Sequence, residues 1–391
     1  MFKNIRRRAL LLIALLLFLV FSAGVYAYAD DASATDGEKK KNFRVSPFIT
    51  PGYTPELGFV ITAGGLFTFS TDPSDEDLKR SNFSANIGYG TTGAIFGSSL
   101  WNTYWLDDKM RINLALWFKN MADHYWGVGY DNGRNTQRGD VTTSYKRLWW
   151  QINPEVLYQV HTDLFLGLKF DLNKTVFSDM SPGVANDPYV QAFGTDNYNA
   201  GIGLILLYDS RDMPENCYNG WFLSGSTTFY DETFGSDNTY QIFEIDYRHY
   251  QQIVRPGSTL AWQVYTRIGT GSVPYAEVTQ LGNPFDLRGY YWGHYRDRTG
   301  LFGLVEYRFK FLQKKPNRLR PQEGRKESRH GFVAWTGMGW IGRDMSNLKG
   351  HYLPNIGVGY RFELQPRMNV RVDFGWGIES SGIYFNFTEA F

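Results

Sequence analysis

The 391-residue sequence contains a single cysteine, Cys217, so it can form no intrachain disulfide. It also lacks an excess of either charge, because 40 basic and 39 acidic side chains give a net charge of +1. That balance argues against a nucleic-acid partner, which would be bound through a strongly basic surface. The six histidines are scattered, without the spacing of a metal site or an H-E-x-x-H helix. We therefore expect no metal and no other cofactor.

Long apolar runs are rare as well, and the longest stands at the N-terminus. The run Ala9–Phe21 follows four basic residues and precedes the small residues Ala27-Tyr28-Ala29. This three-part pattern predicts a secretory signal peptide, residues 1–29. A retained N-terminal anchor is the alternative, although the run is short for a membrane helix. Removing residues 1–29 takes away four basic residues and no acidic ones, so the net charge would fall from +1 to −3.

Aromatic residues and glycine are abundant. Aromatics make up 17% of the sequence and there are 41 glycines, yet the overall hydropathy is negative. A transmembrane β-barrel reconciles these values, because only every second strand residue faces lipid and aromatic residues girdle both interfaces. A secreted β-sandwich is the competing interpretation, and the length of the strands discriminates between the two.

Several segments alternate between apolar and polar residues with a period of two, most clearly 109–119, 163–176 and 368–377. In the second segment, every second residue from Leu164 to Leu172 is apolar, whereas Lys169 and Asp171 lie between them. Strands of soluble proteins average about five or six residues, and each of these segments has at least ten. Their length favours strands that cross a membrane.

The whole pattern predicts an all-β protein, a transmembrane antiparallel β-barrel of about sixteen strands. Residues 30–42 are expected to form a short periplasmic lead-in and residues 43–391 the barrel. Short turns such as Asp107-Asp108 should stand on one side and long loops on the other. The predicted long loops are Asp123–Thr143, Ser178–Asp196, Ser272–Arg298 and Gln313–Arg329.

The C-terminal segment, Gly382–Phe391, is predicted to be the last strand. It places Phe385, Phe387 and the final residue Phe391 in an amphipathic pattern. A terminal aromatic of this kind is similar to the C-terminal signal recognised by the barrel-insertion machinery of the outer membrane. With the signal peptide, it predicts export to the cell outer membrane, where the partners would be membrane lipid and that machinery.

From about Asn197 onward, the sequence resembles the barrels of the bacterial surface antigen family, the superfamily of BamA and TamA. Four segments in the same order and spacing carry the resemblance: Tyr208-Asp209-Ser210-Arg211-Asp212 with Gly220, then Leu281–Tyr290 with its Leu-Arg-Gly-Tyr ending, then Val305-Glu306-Tyr307-Arg308-Phe309, and finally Gly357–Arg361 with Val370–Gly375 and the terminal Phe. The family has sixteen-stranded barrels with a long loop that folds back into the lumen.

The resemblance implies that Arg288, at the tip of this in-folding loop, reaches into the lumen. Gly289 would permit the tight backbone there, and Tyr290 would pack against the wall. A planar guanidinium suits a bidentate pair with a carboxylate, and Glu306 is the expected partner. The candidate lumen-facing residues on the flanking strands are Glu306, Arg308 and Asp373. The alternative is that Arg288 lies in an exposed loop and pairs with nothing.

Two departures from the family pattern limit what the resemblance implies. The family's next strand carries an aromatic residue and, two residues on, an acid, but here Gly337 follows Trp335 where the acid belongs. Glu306 would therefore have to hold the arginine alone. The second departure is that residues 30–42 are too few for the periplasmic repeat domains of family members that assemble or export proteins.

Two functions remain open. The first is a barrel that supports translocation or insertion of proteins or lipids at the outer membrane, with a separable junction between first and last strands and a separate periplasmic partner protein. The second is a passive pore or structural barrel without assembly activity. No G-x-S-x-G motif and no nucleophile beside a base is present, so we predict no enzyme.

Overall fold

The computed structural model describes residues 42–54, 57–75, 78–255, 257–312, 327–365 and 367–391. Long antiparallel strands dominate it, because alternating sequences satisfy their backbone hydrogen bonds only by pairing with neighbours. The strands are β1 Arg44–Thr54, β2 Gly58–Phe69, β3 Ser81–Gly90, β4 Ile95–Trp105, β5 Met110–His124, β6 Ser144–His161, β7 Leu164–Ser178, β8 Asp196–Asp209, β9 Gly220–Tyr230, β10 Tyr240–Gln252, β11 Ser258–Gly271, β12 Thr279–Leu281, β13 Tyr295–Asp297, β14 Thr299–Leu312, β15 Glu327–Gly342, β16 Tyr352–Gln365, β17 Met368–Trp376 and β18 Ser381–Phe387.

Sixteen of these strands form one sheet in which every strand pairs with the next along the chain, from β1 round to β18. The short strands β12 and β13 pair only with each other, inside the connection between β11 and β14. Strands β1 and β18 lie side by side, so the sheet is a nearly closed barrel. The predicted fold class and strand number are confirmed. None of the helices in the described part of the chain has the length and apolar character that crossing a membrane would require.

The two faces of the barrel wall differ as the alternation predicts. In β7, Leu166 and Leu168 are half exposed on the outer face, whereas Lys169 and Asp171 are buried on the inner face. Strand β5 repeats the arrangement, since its apolar residues point out and Arg111 is buried inside. An apolar outer wall and a polar lumen are the arrangement of a barrel in lipid.

The connections differ between the two ends of the barrel. Three long ones, 125–143, 179–195 and 272–298, leave from the same end, which we call the loop end. The fourth predicted long loop, Gln313–Arg329, falls between β14 and β15, whose facing ends are at the opposite end of the barrel, which we call the turn end; residues 327–329 belong to β15, and 313–326 lie outside the described residues. The expectation that all long loops share one side was therefore wrong, because in an up-and-down barrel successive connections alternate between ends.

The long connections at the loop end contain short helices and bond to one another. The helices are α1 Tyr130–Asn135, α2 Pro182–Ala185 and α3 Pro188–Phe193. Tyr125 donates a 2.9 Å hydrogen bond to Asp187 in the neighbouring connection. The Gly129 N–H donates at 2.8 Å to the carbonyl of Arg296 in the in-folding loop. These contacts hold three connections together over the mouth of the barrel.

The last strand ends earlier than predicted. Strand β18 stops at Phe387, because Thr388 takes a left-handed conformation (φ 62°) that turns the chain away from the wall. The prediction of a strand running to Phe391 was wrong. The predicted signal peptide 1–29, nearly all of the lead-in 30–42 and residues 313–326 lie outside the described residues.

Candidate functional site

The connection between β11 and β14 folds into the lumen, and its tip carries Arg288. The Arg288 side chain is fully buried. The next residue, Gly289, has φ +120°, a conformation that disfavours any side chain. A Cβ there would also lie 2.7 Å from the backbone carbon of Trp376. Glycine therefore lets the tip lie directly against the wall.

Two carboxylates hold the Arg288 guanidinium. One nitrogen, Nη1, donates a 2.8 Å hydrogen bond to Asp373 Oδ2 on β17, and the other, Nη2, donates to Glu306 Oε1 on β14. All three side chains have no solvent exposure. The guanidinium also lies 3.6 Å from the ring centroid of Trp335. An arginine removed from water needs such partners, since its burial without them is very costly.

The second carboxylate differs from the sequence expectation. The residue where the family pattern has an acid is Gly337, and we expected Glu306 to hold Arg288 alone. Asp373, two strands further round the barrel, supplies the other carboxylate. The prediction that Glu306 is the only carboxylate partner of Arg288 was therefore wrong. Asp373 and Gly337 lie in different strands, and only the tertiary structure brings Asp373 to the arginine.

The pair extends into a closed cycle of alternating charges, which we call the charge ring. Glu306 also accepts a 3.0 Å hydrogen bond from Arg308, and Asp373 accepts one of 2.5 Å from Arg361 on β16. Glu389, beyond the last strand, closes the cycle, because its Oε2 lies 2.8 Å from Arg361 and 3.9 Å from Arg308. The members of the charge ring, in order, are Arg288, Glu306, Arg308, Glu389, Arg361 and Asp373.

The four residues after β18, Thr388–Phe391, form a C-terminal tail that enters the lumen. Arg308 Nη2 donates a 2.8 Å hydrogen bond to the Phe391 oxygen, and its guanidinium lies 4.9 Å from the Phe391 ring centroid. Asn369 donates at 2.6 Å to Glu389. Ala390 and Phe391 are buried. The predicted terminal aromatic thus lies inside the barrel, whereas Phe385 is exposed on the outer wall.

The loop tip also bonds directly to the last strand. The Gly289 N–H donates a 2.9 Å hydrogen bond to the hydroxyl of Tyr384 on β18. Ser380, just before that strand, donates at 2.6 Å to the Gly289 carbonyl. The Tyr290 hydroxyl donates at 2.7 Å to the Pro354 carbonyl on β16. These bonds fix the tip against β16 and β18.

Asp286 organises the turn that precedes the tip. Its Oδ1 accepts hydrogen bonds from the backbone N–H groups of Gly282 at 3.0 Å and Asn283 at 2.6 Å. Leu287 N–H donates to the same oxygen. Burial raises the pKa of Asp286 to about 7, against these hydrogen bonds, which favour the charged form.

A cavity of about 460 Å³ lies in the lumen between the in-folding loop and strands β5, β6, β7, β10 and β11. Charged side chains of both signs line it, and several pair with each other: Lys169 lies 3.2 Å from Glu244, and Arg248 lies 2.5 Å from Asp246. Arg267 is 3.6 Å from Glu244. The lining is polar enough to hold water, so this part of the lumen can remain wet.

At the turn end, the connection 210–219 closes over the lumen. Asp212 pairs with Arg367 in the turn between β16 and β17 at 2.8 Å. Arg367 also donates at 2.8 Å to the carbonyl of Asn216. The Glu389 N–H donates at 3.4 Å to the Glu215 carbonyl, which joins the C-terminal tail to this connection. Connection and tail together cover the mouth of the barrel beside the last strands.

The structure brings Arg288, Gly289, Tyr290, Glu306, Arg308 and Asp373 together in one region of the lumen. Three further residues of this region were not expected from the sequence: Arg361, Tyr384 and Glu389. Arg361 belongs to the motif Gly357–Arg361. The alternation of side chains along that strand was the available indication that it points into the lumen. Glu389 follows the strand, and its position depends on the turn at Thr388, which no local pattern predicts.

Comparisons with known proteins agree with this architecture. Residues 79–331 match the family model described as the Omp85 superfamily domain. The fold is similar to BamA from Haemophilus ducreyi lacking POTRA domains 1–3, with TM-score 0.55, 12% identity and 90% of this chain covered. It is also similar to CdiB from Escherichia coli, with TM-score 0.57, 10% identity and 90% of this chain covered.

The matched region is a part of each of those structures. The alignment covers 70% of the BamA chain and 63% of the CdiB chain. Identities this low support the shared fold. A search of curated protein sequences found no significant match.

Proposed function

Because this chain belongs to the Omp85 superfamily, we propose that its outer-membrane barrel supports translocation or insertion of proteins or lipids across the junction between β1 and β18, which we call the seam. The solved relatives support this proposal through their fold alone. The support that comes from this chain itself is the geometry of the seam. Every other neighbouring pair of barrel strands is joined by a hydrogen-bonded ladder.

The seam is the junction of the described wall at which neighbouring strands share no ladder. Strand β18 has seven residues and β1 has eleven, so part of the β1 edge extends beyond its neighbour. Within the described residues, β1 and β18 stand at the two ends of the sheet order, although they lie close together. A strand at the end of a sheet can pair with a strand of another chain. A seam of this kind can accept a strand from an incoming protein.

The proposal is tested by locking the seam. In a Cys217→Ser background, single cysteines are scanned along β1 and β18 to find a pair that forms a disulfide. The barrel is reconstituted in phosphatidylcholine vesicles, and insertion of an unfolded eight-stranded outer-membrane barrel protein is timed. We expect the unlocked protein to accelerate insertion, the disulfide to abolish the acceleration and reduction to restore it.

The matched control places the disulfide at Phe374 and Ile383, which are paired in the existing β17–β18 ladder. This crosslink adds a covalent bond without crossing the seam, so insertion should remain fast. Equal insertion rates in locked, unlocked and protein-free vesicles would remove the support for an insertion role.

The passive-pore alternative draws its support from the cavity in the lumen. A water-filled pathway through it would give a steady conductance in planar bilayers. We expect the intact barrel to be mostly closed, because the loop tip, the connection 210–219 and the C-terminal tail occupy the lumen. Replacing residues 272–298 by a short turn should then open it. A steady open channel in the intact protein would instead favour the passive pore.

We also propose that the barrel works with a separate periplasmic partner protein and relies on the insertion machinery for its own assembly. The turn-end surface that such a partner would meet carries connection 210–219. Purification from membranes after crosslinking would identify the partner, and an isolated barrel with full activity in vesicles would contradict the need for one.

A further inference from the structure

Strand β18 is held from the lumen at both of its ends. At the loop end, Tyr384 bonds to Gly289 of the loop tip, and Ser380 bonds to the same residue. At the turn end, the C-terminal tail is held through Glu389 and Phe391 by Arg361 and Arg308. The position of the strand beside the seam is therefore set by lumen contacts, in addition to its single ladder with β17.

The charge ring connects these two anchors. Arg288 at the loop tip and Glu389 in the tail are separated by one bridging pair on each side, Glu306 with Arg308 and Asp373 with Arg361. All these side chains are buried. In such surroundings, loss of one member leaves its neighbours with an uncompensated charge, and the others must rearrange. The tip and the tail should consequently move as a unit.

We infer that the charge ring is a latch that couples the loop tip to the C-terminal tail, with Glu389 as its positioning residue at the seam side. Withdrawal of Arg288 would weaken the hold on Glu389, release the tail from the lumen and free β18 to separate from β1. The meaning of this latch for transport depends on the proposed function, but the coupling itself can be measured without any transport assay.

Cys217 is a native reporter of tail release. It is buried in connection 210–219 and belongs to the same cluster of buried side chains as Ala390 and Phe391. Burial raises the pKa of the Cys217 thiol to about 12, so little reactive thiolate is present while the tail is seated. Because it is the only cysteine in the sequence, a maleimide reagent applied to the folded barrel reports on this position alone.

The first experiment measures the rate of maleimide labelling of Cys217 in Glu389→Gln and in the parent protein, both in phosphatidylcholine vesicles. We expect labelling to be at least about tenfold faster in the variant, because a neutral amide cannot compensate Arg361 and Arg308. The matched control is Asp123→Asn on β5, which removes the buried ion pair of Asp123 with Arg147 outside the ring and at the loop end, and it should leave labelling within about twofold. Equal rates in Glu389→Gln and the parent would overturn the latch.

The second experiment tests coupling at a distance. Arg288→Lys keeps the positive charge but cannot reach both carboxylates as a fork, so it is expected to fold and still accelerate Cys217 labelling. Combined with Glu389→Gln, it should add little, because either change alone opens the same latch. Labelling that is unchanged in Arg288→Lys, or accelerations that multiply in the double variant, would show that tip and tail are independent.

A third variant separates the ring from the direct bond to the strand. Tyr384→Phe removes only the hydroxyl, which accepts from the Gly289 N–H and donates at 3.3 Å to the Tyr290 carbonyl. We expect it to leave Cys217 labelling within about twofold, whereas the ring variants accelerate it. If Tyr384→Phe instead reproduced the effect of Arg288→Lys, coupling would run through β18 and the ring assignment would be wrong. Native fold in each variant is checked by the shift of the unheated band in detergent gels.

Discussion

The two sides of the lumen contain similar charges in opposite surroundings. Around the charge ring, the Glu306 and Asp373 side chains have no exposure, and each bonds to two or three arginines. Across the lumen, Glu244 keeps 27% of its side-chain exposure and lines the cavity with looser pairs. Desolvated charges need several partners, whereas charges beside water need few. The side of the lumen with the charge ring can therefore hold the loop tip in place, and the side that lines the cavity can tolerate substitutions.

The largest expected effect is at Asp373, on which Arg288, Arg361 and Arg371 converge. Asp373→Asn would leave three guanidinium groups without their shared carboxylate and should cost about 3–5 kcal/mol of stability. Asp246→Asn, on the cavity side, should cost about 1 kcal/mol, since Arg248 there lies beside the cavity. The two variants are compared by the temperature at which the folded band disappears on detergent gels. Similar losses of thermal stability in both variants would contradict this difference between the two sides of the lumen.

A smaller effect is expected from the backbone of the loop tip. Gly289→Ala combines a left-handed conformation with a clash against β17, so the tip should be displaced. Gly235→Ala, at φ +91° in an open loop with no neighbouring atom within 4 Å, carries the conformational strain alone, about 1 kcal/mol. Protease resistance of the in-folding loop should fall only in the first variant. Resistance that is retained in Gly289→Ala would mean that close contact at the tip is unnecessary.

The smallest effect concerns pH. Because burial raises the pKa of Asp286 to about 7 from an ordinary value of 3.8, its contribution to stability is full below pH 3.8 and is lost as the pH rises through 7. Thermal stability should consequently decline over that interval, and Asp286→Asn should flatten the decline. Glu277, whose pKa is also raised to about 7 by burial and by Asp171, requires Glu277→Gln as a parallel variant. An unchanged pH profile in Asp286→Asn would assign the dependence to other groups.

Much of the architecture follows from local sequence. The period-two pattern in β5, β7 and β17 predicted which residues face lipid and which face the lumen, because the side-chain direction of a strand alternates strictly. The resemblance to surface antigen barrels, confirmed by the superfamily match, indicated that Arg288 lies at an in-folding tip. The structure then places that residue against Glu306.

Other features depended on contacts that no local pattern specifies. Strand β18 ends at Phe387 because the chain turns inward at Thr388, where the tail gains Arg308 and Arg361 as partners. The two short strands of the in-folding loop pair only with each other. In both cases, partners distant in sequence decide the conformation, so the alternation of the strand could not indicate where it stops.

The sequence by itself determined the sixteen-stranded barrel, its apolar outside and its charged inside, because alternation fixes the face of every strand residue. Only the tertiary structure decided which charges meet. Asp373 and Arg288 are 85 residues apart, and their contact requires the barrel to bring β17 to the loop tip. The same closure brings Glu389 to Arg361, so the charge ring is a consequence of the folded barrel and of no single segment.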